Sequence, residues 1–85
     1  METLEQLGIR LKQLRKEKQC LQRDMAAFLG VTEVHYRRIE AGKVNIPTLT
    51  LCALADYFGV TTDYLLGRRE DRGAAPAGGP ASYES

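Results

Sequence analysis

Gln22-Arg23-Asp24-Met25-Ala26-Ala27-Phe28-Leu29-Gly30-Val31-Thr32-Glu33-Val34-His35-Tyr36-Arg37-Arg38-Ile39-Glu40 is the stretch whose reading decides the fold. Met25, Ala26 and Leu29 are spaced as the inward side of a short helix over residues 22–29. Gly30 ends it, since glycine tolerates the left-handed conformation at a helix terminus. Thr32 is placed to cap a following helix that runs to about Glu40, with Glu33 favourable in its first turn. Two short helices joined by a glycine-containing turn have the spacing of a helix-turn-helix. Ala26 is small where the helices cross, and Met25, Leu29, Val31, Tyr36 and Ile39 fill the wedge between them. Glu33, Val34, Arg37 and Arg38 remain outward, and their i, i+1, i+4, i+5 spacing gives them one shared face.

Helical periodicity extends on both sides. Leu4, Leu7, Leu11 and Leu14 step by three and four, an amphipathic first helix whose stripe is core. Gly42 stops the third helix, and Lys43 to Pro47 form a loop. Leu51, Leu54, Ala55 and Phe58 repeat the helical signature in a fourth helix ended by Gly59. Thr61 or Thr62 caps a short fifth helix carrying Tyr64, Leu65 and Leu66, and Gly67 closes the domain. The reading is an all-α, compact five-helix domain over 1–67. Residues 68–85 hold no Leu, Ile, Val, Met or Phe, and their three basic and three acidic side chains cancel. The expectation there is a disordered C-terminal tail.

Composition narrows the function. The chain has 85 residues, 12 Lys and Arg against 11 Asp and Glu, and a formal net charge of +1, which excludes a histone-like polybasic protein but not a local basic patch. No apolar run approaches the roughly 20 residues of a membrane span, and the acidic start Met1-Glu2-Thr3-Leu4-Glu5 is unlike a secretion signal. The expected location is cytoplasmic. Cys20 and Cys52 are too few for a disulfide framework and, set among apolar residues, read as buried free thiols. One histidine, His35, and no close cysteine pair argue against a metal site. Catalysis finds no support: the serines are Ser82 and Ser85 in the tail, His35 lacks a nucleophile partner, and no phosphate-cradling glycine loop exists. No cofactor is implied.

Five blocks in order resemble the Cro/CI-type (XRE) helix-turn-helix of phage repressors and bacterial transcriptional regulators. They are Leu7-Gly8-Ile9-Arg10-Leu11-Lys12-Gln13-Leu14-Arg15, Gln22 before Met25-Ala26, Leu29-Gly30-Val31-Thr32, Arg38-Ile39-Glu40-Ala41-Gly42-Lys43, and the run from Leu54 to Gly67. The resemblance covers about residues 4–67. It implies a lambda-repressor-like fold in which the third helix enters the major groove of double-stranded DNA. Glu33, Val34, Arg37 and Arg38 then face base edges: an arginine can grip guanine O6 and N7, Val34 can touch a thymine methyl, and Glu33 can accept from cytosine N4. Gln22 matches a phosphate-binding position, with Arg23, Thr32, Lys43, Asn45 and Thr48 as further phosphate contacts. Arg15 and Glu40 match a partly buried salt bridge between the first and third helices.

Three positions depart from the family pattern. Leu21 stands where Ser or Thr usually caps the second helix, leaving an N-terminal donor without a side-chain partner. Tyr36 replaces an aliphatic residue, so its hydroxyl is expected to escape the core or lean toward the DNA backbone. Ala41 stands where Asn is common. The function implied is a sequence-specific regulator, a repressor in its simplest form, binding a palindromic operator as a homodimer. The alternative from the sequence is an antitoxin or adaptor whose C-terminal tail binds a protein partner.

Overall fold

The structure is a computed structural model that describes residues 2–73. Five helices and, among the described residues, no strands make it all-α, as the periodicity requires: α1 (Glu2–Glu17), α2 (Gln22–Leu29), α3 (Glu33–Glu40), α4 (Thr48–Phe58) and α5 (Thr62–Leu65). The chain forms two compact units, one ending at Ile46 and the other beginning at Pro47.

In the first unit α3 packs against both α1 and α2. The expected stripe on α1 buries Leu7, Leu11 and Leu14, while Leu4 is half-buried. Met25, Ala26, Tyr36 and Ile39 complete the buried set, and Leu29 and Val31 are half-buried. Each fully enclosed aliphatic side chain contributes about 1.5–3 kcal/mol relative to exposure. The closest approach is made by Gly8. A Cβ there would lie 2.2 Å from the Glu40 carbonyl oxygen and 3.0 Å from that of Ile39, so only a glycine lets α1 come this near to the end of α3.

The helix ends follow local chemistry. Gly30, with φ +71°, sends its N–H back to α2 carbonyls, and the Val31 N–H donates to Ala26 O at 3.0 Å. α1 ends differently: Gln19 adopts φ 60°, and the Cys20 N–H reaches Arg15 O at 3.0 Å. Leu21 offers α2 no side-chain cap, as expected. Its own N–H is instead taken by Asp24 Oδ2 at 2.8 Å, half of a capping box.

In the second unit Leu54 and Ala55 of α4, Val60 of the turn, and Tyr64 and Leu65 of α5 are buried. Thr61, rather than Thr62, caps α5, its hydroxyl accepting from the Tyr64 N–H at 3.0 Å. The chain after α5 then folds back. The Thr61 N–H donates to Arg72 O at 2.9 Å, and the Arg72 guanidinium lies 5.7 Å from the Tyr64 ring centroid. Of the tail read from Arg68 onward, residues 68–73 are thus seen beside α5, and 74–85 lie outside the described residues.

Neither cysteine is in a disulfide among the described residues, but the expectation that both are buried is corrected: Cys20 is half-buried and Cys52 is exposed. Cys52 precedes the buried Leu54 by two residues, about 200° around the helix, so its apolar sequence neighbours do not enclose it. No helix among the described residues is long and apolar enough to cross a membrane.

Candidate nucleic-acid interface

α3 begins where the Thr32 hydroxyl accepts from the His35 N–H at 3.1 Å. Eight residues follow, and their periodicity divides them cleanly. Tyr36, Ile39 and Glu40 are buried, whereas Glu33, Val34, Arg37 and Arg38 are exposed together on the other side. Val34 is 61% exposed, an apolar residue that the protein leaves without cover. Arg37 Nη2 meets Glu33 Oε2 at 3.2 Å, an ion pair whose side chains are about half exposed. Among the described residues nothing ties down the Arg38 guanidinium.

Behind this face lies a buried polar cluster. Arg15 Nε donates to Glu40 Oε2 at 2.6 Å and Arg15 Nη2 to Glu40 Oε1 at 3.2 Å, a two-pronged contact with side-chain exposures of 10% and 3%. Arg15 Nη1 also donates to the Cys20 carbonyl at 2.9 Å, tying the end of α1 to the same cluster. Hydrogen bonding to Glu40 raises the Arg15 pKa. Losing one partner would strand a buried charge at a cost of roughly 3–5 kcal/mol.

Tyr36 corrects an expectation. Its ring is fully enclosed, and its hydroxyl neither escapes to solvent nor leans outward; it is buried and makes no hydrogen bond among the described residues. Burial, with the Glu40 carboxylate adding to it, pushes the phenol well above its ordinary pKa of 10.0.

The residues read as phosphate contacts are placed as follows. Arg23 is exposed on α2 and Lys43 is exposed just after α3, its N–H on Arg38 O at 2.9 Å. Thr32 and Asn45 each use an acceptor internally, Asn45 Oδ1 taking the Ile46 N–H at 2.9 Å, which leaves the Thr32 hydroxyl proton and the Asn45 NH₂ to donate outward. Gln22, half-buried, donates its Nε2 to Glu40 Oε1 at 3.2 Å. All of these belong to the first unit; Thr48 lies in the second, in the first turn of α4. Reading the sequence missed Asp24, Gly8 and the link from Gln22 to Glu40. Asp24 was legible as the third residue of an uncapped helix; the other two depend on distances that no local pattern encodes.

A short helix held across two others, with its polar and apolar outer side uncovered, defines a helix-turn-helix protein. The Helix-turn-helix family matches residues 11–65, and the chain belongs to that family, of the Cro/CI (XRE) type. It is 44% identical over 59 residues to the SPbeta prophage-derived uncharacterized HTH-type transcriptional regulator YonR of Bacillus subtilis (strain 168), covering 69% of this chain and 55% of that protein. It is 37% identical over 67 residues to the HTH-type transcriptional regulator AnsR of the same strain, covering 79% of this chain and 58% of that protein. The chain therefore spans little more than half the length of these relatives. No solved structure matches it.

Proposed function

We propose that the protein is a sequence-specific DNA-binding transcriptional regulator that reads the major groove with α3. The observation that carries this reading is the division of α3, whose buried side anchors the helix while Val34, Arg37 and Arg38 stay exposed on the other. A guanidinium can grip guanine bidentately and an uncovered valine suits a thymine methyl. Glu33 is the partner for cytosine N4. Gln22, Arg23, Thr32, Lys43, Asn45 and Thr48 supply donors for backbone phosphates, which set register without reading sequence.

One such helix reads only a few base pairs, too little information to single out a site in a genome. Two copies about a two-fold axis, with half-sites roughly 34–36 Å apart, supply the rest. The protein so read is a cytoplasmic homodimer acting on a palindromic operator, in its simplest form as a repressor. Selection of bound fragments from random duplex DNA tests this. A palindromic consensus whose binding falls steeply with salt and is abolished by Arg38→Ala, with helicity kept, is the expected result. Absence of binding at about 50 mM salt, where phosphate contacts are strongest, would overturn it.

A further inference from the structure

Gln22 opens α2, and the oxygen that accepts its Nε2–H, Glu40 Oε1, also accepts from Arg15 Nη2. Glu40 is nearly fully enclosed and gripped at both oxygens, so this acceptor is fixed in space. A carboxylate can only accept hydrogen bonds. Its contact with Gln22 therefore decides which way the amide is turned: nitrogen toward Glu40, with the second N–H left unspent. A phosphate oxygen likewise takes only donors, and an amide turned the other way would bring no N–H from the Glu40 side into play.

We propose that Glu40 is a positioning residue for a DNA backbone contact, an inference that rests on the DNA reading above. Held by Arg15, its carboxylate orients the Gln22 amide so that the remaining Nε2 hydrogen donates to a phosphate. The ion pair thus serves recognition as well as the fold. It sets a donor at the first residue of α2 in a fixed relation to α3, which carries Glu40 at its end and the exposed Arg37 and Arg38 just before it.

The test measures binding of the full chain to a mixed-sequence duplex across a salt series, for the wild type, Gln22→Ala, Glu40→Gln and the double variant. Circular dichroism at the binding temperature verifies that each is folded. Gln22→Ala is expected to weaken binding about tenfold, the loss of one hydrogen bond to a charged group. The slope of log affinity against log salt stays unchanged, because a neutral amide displaces no counterion. In Glu40→Gln the one remaining acceptor oxygen stays with Arg15 and an NH₂ faces Gln22, which turns the Gln22 amide over. Its expected loss equals that of Gln22→Ala, and the double variant is no weaker than either single one. Losses that multiply, or an unchanged affinity in Gln22→Ala, overturn the inference while leaving the DNA reading in place. No binding by the wild type overturns both. If Glu40→Gln does not fold, the Gln22 side-chain amide resonances of the wild type decide. The proposal holds if one Nε2 hydrogen is already held at Glu40 before duplex is added and the other shifts on adding it. It fails if the amide rotates freely beforehand or neither hydrogen responds.

Discussion

Glu33 and Arg37 face each other across one turn of α3, carboxylate to guanidinium at 3.2 Å, on the side of the helix left uncovered. Each side chain is about half exposed, at 45% and 53%. In that setting an i, i+4 pair adds only about 0.3–0.5 kcal/mol to the helix. The pair is better understood as a balance of charge on the outer face: while the two hold each other, Arg37 presents little net attraction to a polyanion.

Glu33→Gln is therefore expected to leave stability within about 0.5 kcal/mol of the wild type but to change DNA binding. Freed of its carboxylate, Arg37 adds one unit of positive charge near the phosphates. Affinity for a mixed-sequence duplex should rise severalfold at low salt, and the salt dependence should steepen by about one phosphate's worth, roughly 0.9 in the log–log slope. Fluorescence anisotropy over a salt series measures both. An identical slope in the two proteins would mean that this face of α3 stays away from the duplex.

Gly8→Ala sets two effects against each other. Alanine is favoured over glycine inside a helix by about 1 kcal/mol. Against that, the new Cβ would sit 2.2 Å from the Glu40 carbonyl oxygen and 2.7 Å from its carbon, both backbone atoms that move only if α3 moves. Overpacking of this kind costs typically 1–3 kcal/mol or more, and with rigid backbone as the obstacle the upper end applies. The net expectation is a loss of about 2 kcal/mol, a drop of roughly 8–16 °C in Tm for a domain of this size. A thermal melt equal to or above that of the wild type would show that α1 and α3 do not approach so closely.

Leu21→Ser should stabilise. Leu21 precedes α2 in an extended conformation, φ −89° and ψ 159°, and is 51% exposed, so its side chain gives little to the core. A serine hydroxyl there can accept from the amide of the third helical residue, completing the box that Asp24 already half forms at 2.8 Å. A gain of about 1 kcal/mol is expected, read as a higher Tm, and Asp24→Ala should lower it. A serine variant that melts with the wild type would mean that the Asp24 contact alone already satisfies this terminus.

Much of this arrangement can be read along the chain, for a physical reason. The limits of α2 and α3 follow from Gly30, the Thr32 hydroxyl and apolar spacing, all of them local, and the outward set Glu33, Val34, Arg37 and Arg38 follows from helical geometry alone. What stayed hidden depends on long-range distances or on an unusual local choice. Gln22 and Glu40 meet across 18 residues, and nothing in their spacing shows it. Gln19 ends α1 at φ 60° where no glycine signals a stop. Cys52 lies beside Leu51 and Ala53 in the chain but on a different side of α4 from the buried Leu54 and Ala55.

Tyr36 supplies the prediction in which pH decides. Its hydroxyl is buried beside Arg15 and Glu40 without a hydrogen bond among the described residues, a desolvated group that costs about 1–3 kcal/mol. Tyr36→Phe keeps the ring and removes that group, so at pH 7 the variant should be as stable as the wild type or more stable by about 1 kcal/mol. Burial holds the phenol of the folded protein protonated far above the ordinary value of 10.0. In the unfolded chain it ionises at about 10, so above that pH the unfolded state binds fewer protons and wild-type stability falls as pH rises. The advantage of Tyr36→Phe should therefore widen by about 1.4 kcal/mol for each pH unit above 10. Urea unfolding of both proteins at pH 7 and at pH near 11 measures it. A constant difference between the two pH values would show that the hydroxyl reaches water in the folded protein.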